Sequence, residues 1–293
     1  VDPMHGSAAG CMQYLFNEQT NCVVREIRTQ RDPLFGGNPP EPLAEYINEL
    51  IHEVKSSSID GKTSLGIIFD GDGDRIAAVD ENGRYCSTQL LMPLLIDHLS
   101  KRSHSSSCIV KTVSGCDLMR LVAESNGLEV LELPVGFKYI ASEMLSREVL
   151  IGGEESGGIG FGSHIPERDA LFTSLVLLEA LADGGKTLGQ RIDELQNQFG
   201  EVHFDRIDIL LENIQIRNKV EDFLRKTPPK KILGKSVQEV ITLDGFKFRL
   251  DINHWLMFRF SGTEPLLRIY CEGQSNKQLT DTLDWAMNFI ENI

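Results

Sequence analysis

No two cysteines in this chain are spaced as C-x-x-C. The six, at positions 11, 22, 86, 108, 116 and 271, are scattered. That pattern excludes a zinc-ribbon or thioredoxin-type motif, and loose thiols in an acidic α/β-patterned chain point to a reducing cytoplasm. There is no apolar run long enough to cross a bilayer and no signal-peptide pattern, so neither a membrane span nor secretion is expected. Basic residues are in deficit: 29 Lys and Arg against 43 Asp and Glu leave a net charge of −14. This argues against nucleic acid or an anionic membrane as partner, and an anionic substrate would need a local cationic pocket. An initiator methionine is also lacking. Val1-Asp2-Pro3-Met4-His5-Gly6 reads as the tail of a strand entering a turn, so preceding sequence is expected.

What is present is ordinary for a globular protein. Over 293 residues, 41% apolar and 25% charged content leaves room for two or three domains. Residues 8–16 read as a helix and 22–27 as a strand. The proline- and glycine-rich stretch 28–42 reads as a loop, and 43–55 has helical spacing. The apolar run Leu65-Gly66-Ile67-Ile68-Phe69 reads as a buried strand, 76–80 as a second, and Glu81-Asn82-Gly83-Arg84 as a tight hairpin turn. Ser87 or Thr88 caps an apolar helix 89–99, in which Pro93 is awkward. Strands at 108–112, 128–133 and 149–151 alternate with helices at 116–125, 138–146 and 168–182, which implies a largely parallel sheet. Thr187 with Gln190 resembles a capping box. From about residue 205 the texture changes. A strand, a helix at 213–226, short strands around 239–243, 246–250, 254–260 and 267–271, and a helix from Asn276 read as a small α+β domain.

Three stretches carry the chemistry. In Asp70-Gly71-Asp72-Gly73-Asp74-Arg75, glycines let the backbone curl so that alternate carboxylates converge. Like charges so close call for a cation, and hard oxygen donors suit Mg²⁺. An EF-hand is disfavoured because Arg75 stands where the loop needs glycine and the flanking residues are strand-like. A haloacid-dehalogenase-like phosphatase with Asp70 as nucleophile remains an alternative, although Asp74 replaces the usual Thr and no downstream Gly-Asp motif is evident. The second stretch, Gly153-Glu154-Glu155-Ser156-Gly157-Gly158, offers carboxylates and a hydroxyl, the partners sugar OH groups need. It is neither a nucleophile elbow nor a Walker A loop. The third, Arg259-Phe260-Ser261-Gly262-Thr263-Glu264-Pro265-Leu266-Leu267-Arg268, offers paired guanidinium donors, hydroxyls and backbone amides, the ingredients of a phosphate cradle.

Together with Val1-Asp2-Pro3-Met4-His5-Gly6-Ser7, these stretches occur in the order found in the α-D-phosphohexomutase superfamily, which the chain resembles over essentially its whole length, closest to the phosphoglucomutases. The resemblance implies two mixed α/β domains, 1–86 and 87–204, followed by a small α+β domain, 205–293, of the TATA-box-binding-protein-like type. It implies Asp70, Asp72 and Asp74 as Mg²⁺ ligands, Glu154 and Ser156 as sugar contacts, and Arg259, Ser261, Gly262, Thr263 and Arg268 as the phosphate grip. It further places Lys111, Gly136, Phe137, Lys138 and Arg168 on the cleft, with Arg75 and Lys111 in catalytic positions. The family's phosphoserine loop, of the Thr-Ala-Ser-His-Asn-Pro type, is absent. Ser103-His104-Ser105 does not replace it, so the first of four domains is expected to be missing.

The expectation is therefore a cytoplasmic phosphohexomutase. It would interconvert hexose 1- and 6-phosphates through a bisphosphorylated sugar, with glucose favoured by the Glu-Glu-Ser motif and the phosphoserine on the missing N-terminal domain. The chain alone would be inactive. The alternatives are a non-catalytic Mg²⁺- and sugar-phosphate-binding fragment and the Asp70 phosphatase.

Overall fold

The computed structural model describes residues 1–16, 22–57, 64–102, 107–261 and 264–293. The first segment holds α1 (Cys11–Leu15), α2 (Asn48–Ser57) and three strands, β1 (Gly66–Phe69), β2 (Ile76–Val79) and β3 (Tyr85–Cys86). The middle runs α3 (Thr88–Ser100), β4 (Cys108–Thr112), α4 (Asp117–Ser125), β5 (Glu129–Leu133), α5 (Phe137–Ser146), β6 (Val149–Gly153), β7 (Ile159–Phe161), α6 (Ala170–Gly184) and α7 (Leu188–Phe199). The C-terminal segment holds β8 (His203–Leu210), α8 (Ile214–Lys226), β9 (Lys231–Ile232), β10 (Lys235–Ser236), β11 (Glu239–Ile241), β12 (Phe246–Asp251), β13 (His254–Phe260), β14 (Leu266–Gly273) and α9 (Asn276–Glu291). The fold is mixed α/β, with an α+β C-terminal unit as the sequence implies.

The parallel sheet is confined to the middle. There β4 pairs in parallel with β5 and β6, and β7, which the sequence reading missed, closes the edge antiparallel. In the first segment β1, β2 and β3 form an antiparallel meander. The links between them are too short for the crossover that parallel pairing demands. Residues 22–27 form no strand; the chain is held there by single bonds, Val1 N to Arg25 O at 2.7 Å and Ile27 N to Val1 O at 2.9 Å. The helix expected from residue 8 starts only at Cys11, because Gly10 sits at φ 82 just before it.

The first sheet and the central unit share one core. Ala8, Ile67, Phe69, Ile76 and Ala78 pack in the same cluster as α3, α4, α6 and α7 side chains. Helix α3 is buried nearly all round, as a central element must be. Its Pro93 has no amide for the carbonyl of Gln89. That oxygen instead accepts the Cys116 thiol at 3.2 Å, and the Gln89 side chain bonds Ser114 O (3.1 Å) and Cys116 N (2.7 Å). The awkward proline is thereby tied to the start of α4. The 80–84 turn does more than reverse the chain: Arg84 reaches Asp193 at 2.7 Å, and Glu81 accepts Gly189 N at 3.1 Å.

The C-terminal unit is a five-stranded antiparallel sheet, in order β11-β12-β13-β14-β8, with α8 and α9 side chains in its core. Its other face meets the central unit through an apolar patch of Val113, Trp255, Met257 and Tyr270. Around that patch lies a buried charged seam. Lys247 Nζ donates to Val113 O at 2.7 Å, Arg249 Nη1 to Asp117 Oδ2 at 2.5 Å, and Val135 N to Asp244 Oδ2 at 2.9 Å. Glu272, fully buried, accepts Asp117 N at 2.9 Å and the Trp255 indole N–H.

Burial, followed by the charge of Asp117, pushes the Glu272 carboxyl from 4.5 up to about 7. Below pH 4.5 the group is protonated whether or not the chain is folded; above pH 7 it is ionised in both states, and folding then carries the cost of burying an anion. Relative to Glu272→Gln, the unsubstituted chain should lose of order 1–3 kcal/mol of stability between those limits. Urea unfolding of both proteins across that range checks this, and a pH-independent difference contradicts it.

Candidate active site

The loop after β1 is built around Asp70. Its carboxylate, 1% exposed, accepts the amides of Asp74 (3.0 Å) and Arg75 (3.1 Å) and the Nε of Arg75 (2.7 Å). Gly73, at φ 76, completes the curl. The opening turn of the chain braces it from outside: Ser7 N bonds Gly71 O at 3.0 Å, and Ser7 Oγ bonds Asp72 O at 2.6 Å. The proline-rich strap closes from another side, where Gly71 N bonds Pro40 O at 3.0 Å and a Cβ at Gly71 would stand 2.9 Å from the Pro40 ring.

This loop docks on the glycine-rich loop. Ile76 N bonds Gly157 O at 3.0 Å, and Arg75 forms an isolated antiparallel bridge with Gly158. Arg168 then spans the two loops, with Nη2 2.7 Å from Asp74 Oδ2 and Nη1 3.8 Å from Glu154 Oε2. Its stem crosses Gly158, where a Cβ would lie 2.3 Å from Arg168 Cδ, and its guanidinium lies over the Phe137 ring. Burial and then Asp70 push the Asp74 carboxyl up to about 6, against the pull of Arg168. Burial and then Glu155 push Glu154 up to about 7. Glu155 is held by Ser114 Oγ at 2.5 Å. The carboxylates are thus short of positive charge despite two arginines.

These loops open on a cleft of about 580 Å³. Of the residues expected there, Asp72, Asp74, Arg75, Gly136, Phe137, Lys138, Glu154, Ser156, Arg168 and Arg268 line it. Arg268 comes from the C-terminal unit, so the Asp70–Asp74 loop, the glycine-rich 153–158 loop and part of the arginine-bearing sheet share one hollow. Sequence reasoning missed Glu41, Val135, Glu155, Glu167 and Arg206. Arg206 carried no motif. It lies on β8 opposite Tyr270 and reaches Asp208 at 2.8 Å, with Arg268 on the same carboxylate at 3.4 Å. The lining carries five cationic side chains and six carboxylates, so the pocket is not cationic as a whole. The anion-attracting part is local to Arg206 and Arg268.

Four expectations change. Lys111 is fully buried with Nζ 2.5 Å from Glu132 and 3.0 Å from Gly115 O, so it belongs to the interdomain seam and is not on the cleft. Asp70 is 1% exposed and does not line the cleft, and its carboxylate accepts two amides and the Arg75 Nε, so it is poorly placed to attack a substrate there and the phosphatase reading is disfavoured. Arg259 is turned to Asp244 at 2.9 Å and does not line the cleft. Nor does Ser261, whose amide bonds Leu266 O at 2.9 Å to close its loop. Gly262, Thr263 and Ser103-His104-Ser105 lie outside the described residues.

Asp70, Asp72 and Asp74 have the oxygen chemistry Mg²⁺ requires, and the raised Asp74 carboxyl marks a place where added positive charge is favourable. The three do not converge on one point as a ligand set in this structure, since Arg75 holds Asp70 and Arg168 holds Asp74. An ion would have to draw Asp74 away from Arg168.

Models of the phosphoglucomutase/phosphomannomutase family match nearly the whole chain: alpha/beta/alpha domain II over residues 1–83, alpha/beta/alpha domain III over 88–199 and the C-terminal domain over 211–287. A phosphoglucomutase/phosphomannomutase of Thermococcus kodakarensis is 28% identical over 99% of this chain, which covers 60% of that protein. A phosphoglucosamine mutase of Methanocaldococcus jannaschii is 26% identical over 99% of this chain and 62% of its own length. In fold, the chain resembles a phosphoglucomutase/phosphomannomutase family protein from Burkholderia thailandensis, with a TM-score of 0.78 at 22% identity over 98% of this chain and 58% of that one. The chain therefore spans about 60% of the length of the relatives it matches, and it belongs to the phosphoglucomutase/phosphomannomutase family, whose domains II, III and IV it contains.

Proposed function

We propose that this chain is the metal-, sugar- and phosphate-binding part of a phosphohexomutase that interconverts hexose 1-phosphate and hexose 6-phosphate, with glucose the favoured sugar and Mg²⁺ the cofactor. The observation that carries this reading is the shared cleft, where Asp72 and Asp74 of one loop, Glu154 and Ser156 of a second, and Arg268 of the C-terminal sheet line one hollow. We divide the chain at residues 86/87 and 204/205. The relatives are longer, and we place the phosphoserine that exchanges its phosphoryl group with the sugar in the part this chain does not share.

Each residue has a task on this reading. Asp70, Asp72 and Asp74 would hold Mg²⁺, which would supply positive charge against the transferring phosphoryl group. Arg75 orients Asp70 from the side, its Nε donating to Asp70 Oδ2 at 2.7 Å. Glu154 and Ser156 accept and donate hydrogen bonds at the sugar hydroxyls. Lys138, at the start of α5, contributes a flexible positive charge at the rim. Arg268 and Arg206 grip the phosphate that is not reacting. A bisphosphorylated intermediate must present either end to the metal, so the far seat has to recognise phosphate alone. Guanidiniums do this through paired donors, whatever sugar carbon bears the group.

Three outcomes test the proposal. The isolated chain should bind glucose 6-phosphate yet show no mutase turnover even with glucose bisphosphate added; turnover above background would remove the need for an external phosphoserine. In calorimetry, Arg268→Ala should weaken glucose 6-phosphate binding about 10- to 100-fold, the scale of losing a charged contact to phosphate. Unchanged affinity would place the phosphate elsewhere. Asp72→Asn, at an exposed position where folding is little affected, should weaken Mg²⁺ binding about tenfold, the free-energy scale of a single charge in a partly solvated site. Parallel titrations with mannose 6-phosphate and glucosamine 6-phosphate rank the sugars, and tighter binding of either would overturn the glucose preference.

A further inference from the structure

We propose that His98, Glu179 and Asp183 form a zinc-class metal site that staples α3 to α6, apart from the cleft. Among the described residues, these three bring one potential ligand atom each to within 4.8 Å of one another. Glu179 and Asp183 stand four residues apart on α6 and so share a face. His98 comes from the last turn of α3, which packs against it. None of the three lines the cleft.

The histidine provides an independent reason to expect a ligand. His98 is only 7% exposed, and its Nε2 makes no hydrogen bond. It faces Glu179 Oε2 at 3.5 Å, beyond normal hydrogen-bond reach. A buried nitrogen whose one polar neighbour is a half-exposed carboxylate at 3.5 Å is poorly satisfied, and a metal ion placed between it and the carboxylates would satisfy it fully. The electrostatics agree. Both helices end here, so two negative helix poles meet two carboxylates. Arg102 supplies a single positive charge, contacting both Glu179 and Asp183. A divalent ion would balance the two carboxylates in full.

Arg102 sits where that ion would bind, and it is the competing explanation for the cluster. It is half exposed, as are both carboxylates. Ion pairs of that kind contribute little, so the guanidinium can swing into water at small cost, whereas His98 stays fixed by its burial. One imidazole nitrogen with two carboxylate oxygens is a zinc-type donor set, since Mg²⁺ favours oxygen ligands in an octahedron. Ligand atoms about 3.4 Å apart would complete a tetrahedron with water, given bonds of about 2.1 Å. Modest side-chain rotation closes the remaining gap.

The test is calorimetric titration of the chelator-stripped chain with Zn²⁺, with Co²⁺ absorption to report tetrahedral geometry. With Mg²⁺ in excess to occupy the Asp70–Asp74 loop, one Zn²⁺ should bind in the micromolar range and raise the thermal midpoint. His98→Gln and Glu179→Gln should each weaken it at least tenfold, the second serving if the first disturbs folding. Arg102→Ala should tighten binding about fivefold by removing the competitor. Asp72→Asn should leave this affinity unchanged, separating the site from the metal loop. Absence of Zn²⁺ uptake below millimolar, indifference to both glutamine variants, or weaker binding in Arg102→Ala would each overturn the proposal.

Discussion

The site depends on how one buried carboxylate folds its own loop. Asp70 spends its oxygens on two backbone amides and the Arg75 Nε, and this turns 70–75 back on itself. With the curl set, the exposed edge of Asp72 and Asp74 faces outward and the Arg75 backbone is left to bridge Gly158. The second loop is therefore positioned by the first. Arg168 finishes the assembly by sitting between Asp74 and Glu154, two carboxylates whose protonation is already favoured by burial. Cation demand and loop geometry are the same fact seen from two sides: a ring of carboxylates in low dielectric persists only with positive charge among them.

A second constraint places the arginine-bearing sheet opposite that ring. The seam between the central and C-terminal units combines an apolar patch around Trp255 with buried charges on both sides. Lys111, Glu132 and Lys247 lie on one stretch of it, and Asp117, Arg249 and Glu272 on another. Charges are expensive to bury and lose much when a partner is removed, so such a seam is specific in register even where it adds little net stability. The position of Arg206 and Arg268 over the cleft follows from that register.

Much of this was legible in the sequence where function is concentrated in contiguous residues. Alternating Asp and Gly after an apolar strand, the Glu154-Glu155-Ser156 run between glycines, and the Thr187–Gln190 capping box each carry their meaning locally. What stayed hidden depends on contacts across the chain. Lys111 ends a strand like a site lysine, and only Glu132 and the neighbouring Lys247, far away in sequence, show it to be interior. Arg206 is a strand residue without a motif, recruited by its pairing opposite Tyr270. Pro93 looked disruptive because its remedy, a thiol from Cys116, comes from the next helix. The strand–helix alternation gave the parallel central sheet, and the 81–84 turn gave the antiparallel pairing of β2 with β3.

The central claim is that the Asp70–Asp74 loop and the arginine side of the C-terminal sheet address the two ends of one small ligand. The most direct measurement is phosphorus-31 relaxation of glucose bisphosphate bound to the chain, with Mn²⁺ substituted into the metal loop. The account predicts one phosphorus strongly broadened and the other weakly, in a one-to-one complex, with the effect lost in Asp72→Asn. Equal broadening of both, or none of either while the sugar remains bound, would contradict it.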